Sequence, residues 1–226
     1  MLDHVLLVSD EVERAFLTAT LRAEAPKLDI RHYNDVAKLD TVEAAILPNA
    51  RLLTFNIDQA IPAQMLSGLG HGAYNLHSGS SAYPGWMPAA FAIYDGAKEF
   101  GATAHSITGQ NGNGGIIAVD LFPVPDGATR NDLARAAYLS MLGIVRRLAK
   151  ALTTLPGALP TLPETWGSRR CTRALYADMC DIPPTIDEAE LRRRIRGFGD
   201  GDGISVPTVW IHKAPFRYAP PDKTRV

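Results

Sequence analysis

An asparagine and a histidine, two residues apart, are the side chains whose types and spacing best suit chemistry. They are Asn75 and His77, within the segment from Gly72 to Gly79. On an extended strand both side chains would point to the same face, so a carboxamide and an imidazole would converge there. An amide N–H can stabilise an oxyanion and an imidazole can move a proton. The pair therefore suits acyl transfer to an amine, although a polar pair at a strand end is the simpler interpretation.

The elements around this pair are predicted to form an α/β fold. Apolar runs at residues 5–8, 28–30 and 51–55 predict strands, and the apolar spacing after residue 11 predicts a helix. The first strand-to-helix turn lacks the glycine-rich fingerprint of a dinucleotide site. We therefore expect a Rossmann-like, mostly parallel sheet flanked by helices, without a dinucleotide.

Two polar, glycine-containing stretches predict functional loops. They are residues 78–84 and 109–115, and both lie at the ends of predicted elements, where an open α/β sheet binds its ligands. A long amphipathic helix follows the second loop, and Thr129 and Asp132 are predicted to cap it.

The C-terminal part is predicted to be a small extension of the main domain. We expect an α/β domain over residues 1–152, and a connector and C-terminal extension over residues 153–226. The extension is expected to hold a short helix and a β-hairpin. The signals are a capping pair at Thr185 and Glu188 and strand-like runs at residues 207–211 and 216–218.

The composition limits which binding partners and which cellular location are expected. The chain has 226 residues and a formal net charge of -1, so no strong electrostatic field attracts nucleic acid. No stretch is apolar enough for a membrane span or a secretory signal, so we expect a cytoplasmic protein. The two cysteines, Cys171 and Cys180, match no metal or redox motif, and no bound metal is expected.

A series of short motifs runs in order through residues 52–124. They are Phe55, Ile61-Pro62, Leu66, Gly72-Ala73-Tyr74-Asn75-Leu76-His77, Tyr83-Pro84-Gly85, Pro88, Gly101-Ala102-Thr103-Ala104-His105 and Gly114-Gly115-Ile116-Ile117. In this order and spacing they resemble the formyltransferase family that uses 10-formyltetrahydrofolate, in particular the catalytic domain of its methionyl-tRNA and sugar-amine members. Residues 191–198 weakly resemble a helix of the longer members of that family.

The resemblance implies transfer of a formyl group from 10-formyltetrahydrofolate, as co-substrate, to an amine of a small metabolite. Asn75 would then stabilise the oxyanion and His77 would carry the proton. The residues implied for folate binding are Phe55, Asn56, Ile57, Ile61, Gly109, Gln110, Asn111 and Gly112. The residues expected to contact the acceptor are Ser78, Ser80, Tyr83 and Trp86.

One position departs from the family pattern. The third catalytic residue of the family is an aspartate, and its position falls on Gly112. Asn113 would replace it if the loop is offset by one residue, or Asp95 or Asp120 would supply the carboxylate. An amide can orient an imidazole but cannot hold the negative charge that stabilises imidazolium. Two alternatives therefore stay open: a hydrolase of 10-formyltetrahydrofolate, and a catalytically impaired relative that binds folate or serves as a scaffold.

The remaining expectations concern the acceptor and the surface. The chain has no room for the second β-barrel of the tRNA enzymes, so tRNA is not expected as the acceptor; a nucleotide-linked amine and a homodimer stay open. The arginines at residues 192–196 are expected to form a solvated face, with a phosphate site as the alternative. His105 is expected to be structural, and Trp86 and Trp166 either pack or stack on a pterin or sugar.

Overall fold

The computed structural model describes residues 1–109, 114–199 and 205–220, and its centre is a six-stranded sheet. The strands are β1 (His4–Val8), β2 (Asp29–Tyr33), β3 (Ala50–Phe55), β4 (Ala73–His77), β5 (Glu99–Ser106) and β6 (Ile116–Pro123). Their order is β2-β1-β3-β4-β5-β6; the first four run parallel, and β5 and β6 are antiparallel to their neighbours. The predicted Rossmann-like, mostly parallel sheet is confirmed.

Helices cover both faces of this sheet. They are α1 (Glu11–Glu24), α2 (Ala63–Gly68), α3 (Pro88–Asp95) and α4 (Arg130–Thr154), with 3₁₀ helices at Val36–Thr41 and Ala44–Asn49. Strand β1 shows why two layers form, because alternate residues point to opposite faces. Val5 and Leu7 join a core cluster with α1 and α4, whereas Leu6 and Val8 join a cluster with α2 and the 3₁₀ helices. Among the described residues, no helix combines the length and apolar character needed to cross a membrane.

The C-terminal part adds two helices and a three-stranded sheet. These are α5 (Arg173–Cys180), α6 (Glu188–Phe198), β7 (Asp181–Ile182), β8 (Thr208–Ile211) and β9 (Ala214–Arg217). The predicted hairpin is present as β8 and β9, and α5 and α6 pack against α3 through a shared aromatic cluster. Helix α6 begins after Asp187 and not after Thr185, because the Asp187 carboxylate accepts the Glu190 N–H at 2.9 Å. The division at residue 152 stays a prediction.

A buried arginine fastens the end of α4 to the sheet. Arg51, on β3, is fully buried, and its guanidinium donates to five backbone carbonyls at 2.7–3.0 Å. The carbonyls belong to His71, Ala151, Leu152, Leu155 and Gly157. Four of them lie in the last turn of α4 or just beyond it, where a helix leaves carbonyls without partners and favours a positive charge.

Candidate active site

A cavity of about 920 Å³ lies at the edge of the sheet where β3 and β4 end. Both side chains singled out by the sequence, Asn75 and His77, line it. They reach it together because both belong to β4 and lie two residues apart, on the same face of the strand. The volume is in the range of cofactor and ligand sites.

Asn75 is the centre of a row of side chains that crosses three strands. Strand pairing places Thr54 of β3 opposite Asn75, and His105 of β5 opposite Asn75 on the other side. The Thr54 hydroxyl donates to Asn75 Oδ1 at 2.7 Å, and Asn75 Nδ2 lies 3.3 Å from His105 Nε2. The two neighbours therefore hold the Asn75 carboxamide from both sides.

The hydrogen bonds determine which way this amide faces. His105 Nδ1 lies 2.9 Å from the carbonyl oxygen of Ser106, which can only accept, so we assign the proton to Nδ1. His105 Nε2 is then an acceptor, and the group of Asn75 that faces it is the NH₂. One N–H of Asn75 points to His105, and since no other described residue accepts from the second, that N–H can donate to a ligand.

His77 is held as a neutral imidazole. Its Nε2 lies 3.3 Å from the carbonyl oxygen of Tyr83 and donates to it. Burial lowers the pKa of His77 below its ordinary value of 6.5, and the bond to Tyr83 opposes this only in part. In the neutral ring Nδ1 carries the lone pair, so His77 can accept a proton at Nδ1.

Burial has a larger effect on His105, and this gives a prediction about stability. The His105 side chain is 3% exposed, and burial lowers its pKa to about 4. Below pH 6.5 the unfolded chain binds a proton at this residue and the folded chain does not, so acid destabilises the fold until the pH reaches about 4. Between pH 7 and pH 5 this residue should remove about 2 kcal/mol of stability.

Urea unfolding at the two pH values checks this prediction. The His105→Gln variant lacks the titrating group, so its loss of stability between pH 7 and pH 5 should be smaller than that of the wild type by about 2 kcal/mol. His4→Gln, on a partly exposed residue of β1, is the matched control. Equal losses in the His105 variant and the wild type would show that His105 is not held neutral by the fold.

Only some of the residues implied for folate binding line the cavity. Asn56, Ile57, Ile61 and Gly109 line the cavity. Phe55 does not; it is 2% exposed and packs edge-on against Tyr138. Gln110, Asn111 and Gly112, with the catalytic candidate Asn113, lie outside the described residues. The folate assignments stay predictions.

Only some of the residues expected to contact the acceptor line the cavity. Ser78 and Trp86 line the cavity, and the Ser78 hydroxyl donates to Asn56 Oδ1 at 2.7 Å. Ser80 and Tyr83 are not brought to it, because the loop turns inward and the Tyr83 N–H bonds back to the Ser80 carbonyl at 2.9 Å. Burial raises the pKa of Tyr83 to about 12. Tyr83 contributes its backbone carbonyl to His77 instead of its side chain.

The carboxylates suggested as replacements for the family aspartate are engaged elsewhere. Asp95 pairs with Arg169 at 3.2 Å and Asp120 with Arg147 at 3.3 Å, and neither lines the cavity. Among the described residues, no cluster of three or more His, Cys, Asp or Glu side chains could hold a metal ion.

The arginine run of α6 does not reach the cavity. Arg192 pairs with Glu188, and Arg193 and Arg194 pair with Glu190. The predicted solvated face is present for Arg192 and Arg193, which are exposed, but not for Arg194, whose side chain is 19% exposed and donates to the Asp181 carbonyl at 3.1 Å.

Other arginines line the cavity. Arg130 is 3% exposed, and Arg173 pairs with Asp58 at 2.8 Å while its guanidinium lies 4.8 Å from the Trp86 ring centre.

Neither protein-family models nor curated protein sequences match this chain, but solved structures do. A sugar N-formyltransferase from Shewanella has a TM-score of 0.73 at 15% identity, covering 96% of each chain. A Mycobacterium tuberculosis protein thought to be a sugar N-formyltransferase has a TM-score of 0.70 at 20% identity, covering 99% of this chain and 100% of the other. HypX from Aquifex aeolicus, in complex with tetrahydrofolic acid, has a TM-score of 0.61 at 17% identity, covering 93% of this chain and 36% of HypX. The chain has the formyltransferase fold.

On this formyltransferase fold, sequence reasoning missed two contacts of the site. Thr54 carried no signal beyond its position before Phe55, and His105 was expected to be structural. Both contact Asn75 through strand register, which a single sequence does not give. Trp166 was expected either to pack or to stack on a ligand, and it packs against the two imidazoles.

Proposed function

We propose that the protein transfers a formyl group from 10-formyltetrahydrofolate to the amine of a small metabolite. The observation that carries the proposal is the oriented Asn75 amide beside the neutral His77, both on one cavity. The fold shared with sugar N-formyltransferases and with the tetrahydrofolate complex of HypX supports it.

Each polar group of the site has a task in this reaction. The free N–H of Asn75 donates to the formyl oxygen as negative charge develops there. His77 Nδ1 accepts the proton that the attacking amine must lose and returns it to the folate nitrogen as the carbon–nitrogen bond to folate breaks. One carbon–nitrogen bond forms, one breaks, and one proton moves from the amine to the folate.

The apolar end of the cavity fits the flat pterin of the donor. Ile57, Ile61, Leu66 and Ile107 line this end, close to β3 and the start of the second loop. Apolar side chains supply most of the contact surface in cofactor sites, and a few polar groups fix the orientation. We assign the donor to this end.

A second group of lining residues fits an acceptor that carries an aromatic base and an anionic group. Trp86 brings a ring suited to stacking, and Arg130 and Arg173, which already have partners within the protein, bring positive charge that suits phosphate. An amino sugar linked to a nucleotide combines these features with the amine. We therefore propose a nucleotide-linked amino sugar as the acceptor.

Incubation of the purified protein with 10-formyltetrahydrofolate, with and without amino-sugar nucleotides, tests the function. We expect tetrahydrofolate to form only when an amine is present, together with equal formylated amine. Tetrahydrofolate and formate without an amine would indicate the hydrolase instead. Folate binding without turnover would indicate the catalytically impaired relative, and absence of folate binding would reject both the transferase and the hydrolase.

The hairpin supports a homodimer, which we include in the proposal. The register of β8 and β9 places Ile211 and Phe216 on the same face of the hairpin, and they are 48% and 58% exposed, which is unusual for large apolar residues that share a face. We expect Ile211→Glu with Phe216→Glu to halve the mass measured by light scattering without unfolding the protein. A wild-type mass equal to that of one chain would contradict the dimer.

A further inference from the structure

Trp166 contacts both histidines of the site from outside the cavity. Its ring centre lies 5.0 Å from that of His105 at an interplanar angle of 86°, and 6.4 Å from that of His77 at 66°. Trp166 is only partly buried and does not line the cavity, so it lies behind the imidazoles and not on the ligand side.

The backbone around Trp166 is fixed to both sides of the site. The Gly167 N–H donates to the Ser81 carbonyl at 2.9 Å, and the Leu162 N–H donates to the Ile116 carbonyl at 2.7 Å. The Trp166 Nε1–H itself donates to the Gly114 carbonyl at 2.9 Å. The segment between α4 and α5 therefore connects the loop after β4 with the start of β6, and Trp166 lies at the middle of this connection.

We propose that Trp166 is a positioning residue, whose indole holds His77 and His105 in their working orientations and keeps water from the side of the rings that faces away from the cavity. The inference rests on the proposed function for its catalytic meaning. In this chain the position that matches the family aspartate is Gly112. Orientation of the imidazoles by a carboxylate is thus replaced by orientation through ring packing and backbone hydrogen bonds.

The contacts explain how one residue could serve both histidines. Edge-to-face ring pairs stabilise beyond the burial of their surface and favour a defined angle between the rings. Holding His105 also holds the Asn75 amide, because His105 Nε2 accepts from it. Trp166 therefore acts on the oxyanion donor through His105 and on the proton carrier directly.

The charged groups near the two imidazoles determine how the histidine pKa values should respond to loss of Trp166. His77 lies close enough to His105 to affect its pKa, and the described charged groups on the same cavity are Asp58, Arg130 and Arg173. Asp58 is paired with Arg173. No carboxylate among the described residues therefore counters the lowering of the histidine pKa values by apolar contacts such as that of Trp166. Loss of the indole should therefore raise the pKa of both histidines toward 6.5.

Titration of the histidines by NMR in ¹⁵N-labelled protein tests this without any substrate. Signals of His77 and His105 are assigned from the single glutamine variants. We expect Trp166→Ala to raise the pKa of His105 by at least one unit and that of His77 in the same direction, and Trp166→Phe, which keeps a ring but loses the bond to Gly114, to raise both less. Leu162→Ala, on an exposed side chain of the same segment, is the matched control and should change neither.

Steady-state kinetics then test the catalytic meaning. We expect Trp166→Ala to lower kcat about 10- to 100-fold through loss of alignment, with KM for the donor within about twofold, and Trp166→Phe to lower kcat less. Thermal melts confirm that each variant is folded, and Trp166→Leu replaces the alanine variant if that one is not.

The two measurements separate the inference from the proposed function. Unchanged pKa values in the folded alanine or leucine variant overturn the inference, whatever the activity. Shifted pKa values with unchanged kcat in an active enzyme also overturn the positioning role. A wild-type protein without formyl transfer, but with shifted pKa values in the variant, rejects the function and keeps the physical contact.

Discussion

Replacement of His77 by glutamine should lower kcat/KM for formyl transfer by about 10²- to 10⁴-fold, the usual contribution of a positioned acid–base group. Glutamine keeps a polar side chain that can still donate to the Tyr83 carbonyl, but it cannot accept and return a proton. The loss corresponds to about 3–5 kcal/mol of transition-state stabilisation. Initial rates over a range of acceptor concentrations measure it.

Two controls accompany this variant. Tetrahydrofolate binding by calorimetry should change little, because Asn75 and the apolar end of the cavity are intact. His4→Gln, which alters a histidine outside the cavity, should leave kcat/KM unchanged. A His77 variant within threefold of the wild type would mean that another group carries the proton.

Replacement of Arg51 by leucine should destabilise the fold by about 3–5 kcal/mol, because a buried set of strong acceptors loses its donor. The five carbonyls that Arg51 binds include the end of α4, and leucine offers none of them a hydrogen bond. For a chain of this size the change corresponds to a drop in Tm of roughly 6–20 °C. Thermal and urea unfolding both measure it.

Matched arginine variants show whether position or charge is responsible. Arg51→Lys keeps the positive charge but supplies a single ammonium instead of a five-donor fork, so the loss should be smaller and still clear. Arg14→Leu removes an exposed arginine of α1 and should stay within about 0.5 kcal/mol of the wild type. A loss below about 1 kcal/mol in Arg51→Leu would show that water satisfies the α4 carbonyls equally well.

The fold was predictable where local patterns decide it. The apolar run of β1 and the capping box of Thr129 and Asp132 at α4 are properties of short segments, and both are present. The start of α6 was misplaced because Thr185 and Asp187 both suit a cap, and only the observed bond to the Glu190 N–H decides between them. Helix α5 was not predicted, since a helix of eight residues depends on the packing of Tyr176 more than on its own propensity.

The candidate site was predictable only in part, for the same reason. Asn75 and His77 share a strand, so the two-residue period brings them to one face without further information. Thr54 and His105 come from other strands, and their contact with Asn75 depends on register. Trp166 comes from a segment after α4, and its contact with the imidazoles depends on how that segment crosses the sheet edge. Site contacts between residues that are distant in the sequence are therefore revealed only by the three-dimensional structure.

Transfer of an isotopic label tests the central claim most directly. The donor is 10-formyltetrahydrofolate labelled with ¹³C in the formyl group, the acceptor is an amino-sugar nucleotide, and NMR follows the carbon in the wild type and in Asn75→Ala. We predict that the label moves to the acceptor nitrogen in an amount equal to the tetrahydrofolate formed, and that the alanine variant slows this about 10²- to 10³-fold. Label found only in formate, or equal rates in both proteins, would contradict formyl transfer by Asn75 and His77.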